Sequence, residues 1–205
     1  MVKRPVCGLA LLLAAAAACG GDKDNIIVRA SLGPGGTQPV AGLPVRLLPY
    51  DRRAILDSLA EEGGDSIPAY PADAMQHLRM LQAEAARVKP KGDTAVARVE
   101  AQRRAYVAQL DVVRKARQKW LDSNREDFEA AVKARTSEGE MTDTTDAAGR
   151  ASFAVEEGDW WVVSSYVLPD VVLEWQRRVP HDLPKKGDSL VVNLTRQRAK
   201  EEPFF

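Results

Sequence analysis

Apolar and polar positions alternate in two separated parts of this chain and recur at helical spacing in the part between them. Near the front, Ile26, Val28, Ala30 and Leu32 share one face against Ile27, Arg29 and Ser31, and Leu43, Val45 and Leu47 share another against Pro44 and Arg46. A period of two marks a strand with one buried face. Further strands are predicted over Met141 to Thr145, Ala151 to Val155, Trp160 to Leu168, Val171 to Val179 and Leu190 to Thr195. That makes seven. Asp146-Ala147-Ala148-Gly149 and Glu156-Glu157-Gly158-Asp159 read as hairpin connections, each with a glycine free to take positive φ. Seven short strands at this spacing predict a two-sheet antiparallel sandwich.

Between these parts the pattern changes to a helical one. Val99, Tyr106, Leu110, Val113 and Trp120 follow steps of three, four and seven, with Arg103, Arg117 and Asn124 on the same stripe. One helix over residues 93 to 135 would span roughly 60 Å. Ile55 to Glu61 and Ala72 to Val88 supply two shorter helices broken at Gly63-Gly64-Asp65-Ser66-Ile67-Pro68, and Pro90-Lys91-Gly92 is the turn before the long helix. The fold class expected is therefore α+β: a seven-stranded antiparallel β-sandwich, built from residues 25–50 and 140–197, interrupted by a long helical hairpin over 51–139 that projects from it. Twenty-five residues at the front make about two strands, too few to be stable alone, so the two β segments belong together. Residues 198–205, closing on Pro203-Phe204-Phe205, read as a loose tail.

The first eighteen residues carry a different pattern: Lys3 and Arg4, an apolar stretch from Gly8 to Ala18, then small residues before Cys19. This is the build of an export signal, too short to span a bilayer. Ala16-Ala17-Ala18-Cys19-Gly20 resembles the lipobox of bacterial lipoproteins, and that resemblance implies a diacylglyceryl thioether on Cys19, cleavage before it, and N-acylation. Ala16 departs from the usual leucine, which leaves an ordinary soluble export signal as the alternative. Gly20, where an aspartate would favour inner-membrane retention, points to a cell-envelope protein at the outer membrane, with residues 19–24 as a short linker. Removing 18 of 205 residues leaves 187, and Lys3 and Arg4 go with them, taking the basic count from 29 to 27 against 29 acidic residues. That balance favours no overall electrostatic partner. Cys7 lies in the signal, so the mature chain has no cysteine pair.

Pro39-Val40-Ala41-Gly42-Leu43-Pro44-Val45, with Thr144-Thr145-Asp146-Ala147-Ala148-Gly149-Arg150-Ala151-Ser152-Phe153 and Glu157-Gly158-Asp159-Trp160-Trp161-Val162-Val163 much later, is similar to the carboxypeptidase regulatory-like domain, a transthyretin-like β-sandwich. The resemblance covers about 100 residues in two pieces. It implies an accessory, adhesive or structural module with no catalytic residues to transfer. The insertion of nearly ninety residues after the second strand departs from the family.

Candidate chemistry is sparse. His77 and His181 stand far apart without cysteine or carboxylate at metal-ligand spacing. Ser164-Ser165 lies inside a strand without a nucleophile-elbow pattern, and Asp143 and Asp146 read as turn residues. The expectation is a non-enzymatic module without metal or cofactor. Candidate partner-binding residues are Arg98, Arg104, Arg114, Lys115 and Lys119 on the helical arm, whose alternative is a solvated helix face. The partner expected is a cell-envelope protein, with the membrane held through Cys19 and no nucleic acid. The other functional reading is a carbohydrate-binding module. Trp160 and Trp161 are adjacent on a strand and point to opposite faces, so an outward Trp161 would stack on a glycan. Trp175 reads as core, and Trp120 as the seam of the hairpin or its junction with the sandwich.

Overall fold

The computed structural model describes residues 24–156, 158–169, 171–179 and 189–204. The expected export signal over residues 1–18, Cys19, Glu157, His181 and Phe205 lie outside them. Nine strands and four α-helices are found there: β1 (Asp24–Leu32), β2 (Gln38–Pro39), β3 (Pro44–Leu48), α1 (Arg52–Gly63), α2 (Ala74–Val88), α3 (Asp93–Ser123), α4 (Arg125–Arg135), β4 (Met141–Thr144), β5 (Arg150–Val155), β6 (Trp161–Leu168), β7 (Val171–Arg178), β8 (Ser189–Thr195) and β9 (Lys200–Pro203). The α+β class holds, with the helices inserted between β3 and β4.

The strands form two sheets. A five-stranded antiparallel sheet runs β4-β3-β6-β7-β9, while β1 pairs with β2 and β5 on one side and β8 on the other. β8 lies parallel to β1, Ile26 facing Leu190 and Ala30 facing Leu194, so the expected all-antiparallel arrangement is corrected. A parallel neighbour needs a crossover rather than a tight turn, and the chain crosses from one sheet to the other between β7 and β8. Two further strands escape the period-two reading, β2 and β9. The tail is not loose: β9 pairs with β7, Val171 opposite Pro203 and Glu174 opposite Lys200.

The two expected hairpins are sheet changes instead, since β5 pairs with neither β4 nor β6. Residues 145–149 carry the chain from β4 in one sheet to β5 in the other, and residues 156–160 carry it back. Gly149 takes φ 71°, and a Cβ there would lie 2.4 Å from the Ala30 carbonyl oxygen. Glycine is therefore required. Gly158 does not take positive φ. Thr145 locks this corner: its hydroxyl donates to the Val40 carbonyl at 2.6 Å and accepts from the Leu43 N–H at 2.9 Å.

The inner faces of the two sheets meet in one core of Val28, Val45, Leu47, Phe153, Val162, Leu173, Trp175 and Leu194. β5 shows the alternation most plainly, with Ala151, Phe153 and Val155 buried and their neighbours exposed. Trp175 is core as expected, its indole N–H donating to the Thr195 carbonyl at 2.8 Å. Trp160 is buried and donates to the Glu156 carbonyl.

The helices do not simply project. They form a third layer against the outer face of the five-stranded sheet. The long helix expected over 93–135 is broken at Asn124 (φ −101°, ψ 14°), whose side-chain amide and backbone N–H both donate to the Trp120 carbonyl. Asparagine competes for backbone groups in this way and interrupts helices. α4 then packs against α1, while α2 packs against α3. Beneath α1 and α4, Leu48, Tyr50 and Ile55 make a second core with Leu59, Phe128, Trp161 and Val163. Asp51 caps α1, accepting from the Arg53 and Ala54 N–H groups at 3.0 and 3.1 Å, and also accepts from the Gln176 amide of β7 at 2.6 Å.

Candidate functional site

The outer face of the five-stranded sheet divides into an apolar end and a polar end. Leu48, Trp161 and Val163 lie under α1 and α4. Where α3 crosses, Ser165, Glu174 and Lys200 follow one another across β6, β7 and β9. Directly paired residues share a face, so these three side chains stand in one row, with Glu202 two residues along β9 beside them. Between this row and the helices lies a cleft of about 590 Å³, its walls including Arg52 of α1, Arg117 and Leu121 of α3, and Ile67 and Pro68 from the connection that follows α1.

Most cations around the cleft are committed. Arg117 donates to Glu202 at 2.8 Å, and Lys200 reaches the same carboxylate at 2.6 Å. Arg46 pairs with Glu140 at 2.5 Å. Burial pushes the Glu202 carboxyl up, but the hydrogen bonds from Lys200 and Arg117 outweigh it, and the group lies below the usual carboxylate range. Arg52 and Glu174 differ. Among the described residues neither makes a hydrogen bond or a close ion pair, although each feels the other's charge. Burial lowers the Arg52 guanidinium, with Glu174 opposing. Burial, and then the charge of Glu202, raises the Glu174 carboxyl. No fully enclosed side-chain nitrogen or oxygen among the described residues lacks a hydrogen-bond partner, so the polar atoms of these two side chains keep access to water in the cleft.

The residues singled out in the sequence are scattered. Arg98, Arg104, Arg114, Lys115 and Lys119 are exposed along α3. Arg114 and Lys115 both pair with Asp111, at 2.5 and 2.7 Å. Trp161 points to the outer face as the alternation requires. It is half-buried in the second core, with the Arg178 guanidinium 5.9 Å from its ring centre. Trp161 is therefore a half-buried ring, with α1 and α4 packed over part of that face. His77 packs against Tyr106, ring centres 4.3 Å apart. Among the described residues no group of three or more His, Cys, Asp or Glu is placed to hold a metal, and no helix is long and apolar enough to cross a membrane.

Sequence reasoning missed Arg52, Glu174 and Glu202. The signal that could have found this region is Arg117, a cation on the apolar stripe of α3, which needs an acidic partner when that stripe is buried.

No protein-family model matches the chain, and no curated protein matches it. Among solved structures there is a distant similarity to the fimbrial protein FimP from Actonomyces oris, at 18% identity and a TM-score of 0.31, covering 84% of this chain. The chain spans 29% of the length of that protein.

Proposed function

We propose that this is an exported, non-enzymatic binding module of the cell envelope, anchored to a membrane through acylated Cys19, with its helical layer presenting the surface for a protein partner. The lipobox-like run Ala16 to Gly20 supports the anchor, and the regulatory-like resemblance supports an accessory role for the sandwich. One observation carries the interaction reading, and it is how the cations of the helices are sorted. Toward the sheet, Arg117 is held by Glu202 and Arg79 by Glu201, while Arg52 lines the cleft. On the far side of α3, Arg98, Arg104 and Lys119 are exposed and have no ion pair among the described residues. A row of uncommitted cations on one helix favours an acidic protein surface and steers its approach.

Deleting the helices would strip the cover from Trp161, Val163 and Glu202, so charge reversal is the cleaner test. The triple variant Arg98→Glu, Arg104→Glu, Lys119→Glu should fold as the parent does and lose capture of an envelope protein from detergent-solubilised membranes. Equal capture by both proteins removes the α3 reading. Intact-mass analysis of the N-terminus checks the anchor separately, since an unmodified Cys19 removes it.

A further inference from the structure

The cleft under α1 and α3 holds a cation and an anion that face one space without touching. Arg52 is the first residue of α1 and Glu174 is central in β7. Both are half-buried, neither is closed into an ion pair, and both line the same 590 Å³ cleft. The surrounding charges explain why they remain apart. Lys200, directly opposite Glu174 on β9, is drawn to Glu202 instead, as is Arg117. Arg46 is held by Glu140 on the other side of β3. Glu202 has thereby taken both cations that would have neutralised Glu174.

Half-buried charges of this kind gain strongly from a ligand that replaces water with charge-assisted hydrogen bonds. A simple anion suits Arg52 and is repelled by Glu174 beside the Glu202 carboxylate. A simple cation has the reverse difficulty with Arg52 and Arg117. A molecule carrying both charges close together satisfies both residues at once. Leu56, Ile67, Leu121 and Val163 give the cleft an apolar stretch, with the Ser165 hydroxyl beside Glu174 and the exposed Arg53 and Asp57 of α1 at its rim. Its volume falls within the range of about 300–1,000 Å³ typical of small-molecule sites.

We propose that this cleft binds a small zwitterion of the α-amino-acid type with an apolar side chain, the carboxylate on Arg52, the ammonium on Glu174, and the side chain against Leu56, Ile67 and Leu121. The site is independent of the α3 outer surface and of the anchor, so either reading can fail without the other.

The test is calorimetric titration of the full chain in detergent with three probes that share one side chain: leucine, N-acetyl-leucine, which lacks the ammonium, and isoamylamine, which lacks the carboxylate. Leucine is expected to bind with a Kd between about 10 μM and 1 mM, and each single-charge analogue at least about tenfold more weakly, a difference of about 1.4 kcal/mol. Arg52→Gln should erase the preference for leucine over isoamylamine, and Glu174→Gln the preference over N-acetyl-leucine. The analogue series on the unaltered protein keeps the test valid if either variant folds poorly. No binding of leucine, or binding of all three probes alike, overturns the proposal. So does unchanged leucine affinity in both variants when they are folded.

Discussion

The two sheets present outer faces of opposite character. On the four-stranded sheet the outward positions of β5 are Arg150, Ser152 and Ala154, all exposed, and on β8 they include Val191, 41% exposed, and Asn193. On the five-stranded sheet the outward residues Trp161, Val163, Glu174 and Gln176 are partly buried, while Ser165 and Val167 further along β6 are exposed. The first face is largely a solvent surface, with polar or small residues on β5 and an apolar pair, Ile27 and Val191, between β1 and β8. The second is partly an interior surface that looks similar by alternation alone, because helices lie over it and take up Gln176 and Glu202 through Asp51 and Arg117. A polar residue at an outward strand position therefore has two meanings, and only the layer above it decides between them.

The largest test of this contrast is Glu202, 8% exposed and shared by Arg117 and Lys200. Removing one partner of a buried ion pair leaves the other charge uncompensated, so Glu202→Ala should cost about 3 kcal/mol in chemical unfolding. The pH dependence has a definite sign. A carboxyl held below its ordinary value of 4.5 contributes stability that is present above that value and lost as pH falls through the folded value. Glu174 works in the opposite sense, because its carboxyl is raised: it favours the folded state at low pH, and that contribution disappears as pH rises through the folded value. Glu174→Gln should therefore flatten the change in stability above 4.5, whereas Glu202→Ala should flatten the loss in more acid solution. Identical pH profiles for the two variants would contradict the assignment.

A smaller effect is expected at Asp51, where α1 meets the sheet. Its carboxylate caps the helix and also accepts from Gln176. Asp51→Ala should lower stability by about 1.5 kcal/mol, near the upper part of the range for a cap, because the link to β7 is lost with it. Asp51→Asn should recover most of this in the same unfolding experiment, since its amide oxygen still accepts from the helix N–H groups.

How far this arrangement is legible in the chain follows from the same physics. Val28, Phe153, Leu173 and Trp175 lie on the inner faces where the period of two places them, because alternation records which side of a strand is apolar. It does not record strand direction, so the parallel pairing of β8 with β1 is silent in it. β9 is silent for another reason. Lys200-Glu201-Glu202-Pro203 has no apolar strand signal, and it becomes a strand because α3 and β7 supply the partners that let Glu202 be buried. Pro203 is tolerated there because β9 lies at the sheet edge. The cleft was least visible of all. Arg52 opens a helix and Glu174 sits in a strand far along the chain, each locally unremarkable as an outward polar residue, and only the folded layers bring them to one space.

The smallest effect gives the sharpest form of the comparison, because it applies one chemical change to both faces. Val163 of β6 and Val191 of β8 each point away from the inter-sheet core. Val163 packs into the second core beneath the helices, whereas Val191 is exposed beside Ile27. Threonine keeps the β-branched shape and the preference for a pleated backbone, so the substitution changes little except the hydroxyl. At position 191 that hydroxyl meets water, and Val191→Thr should change stability by less than about 0.5 kcal/mol. At position 163 it must lose water under the helices, and Val163→Thr should cost about 1 kcal/mol. A double variant should show the sum of the two effects, since the sites are on opposite sheets and share no partner. Equal costs at the two positions, measured by denaturant unfolding, would mean that the helices do not shield the face they lie upon. In that case Glu174 and Arg52 would be ordinary solvated charges rather than the walls of a cleft.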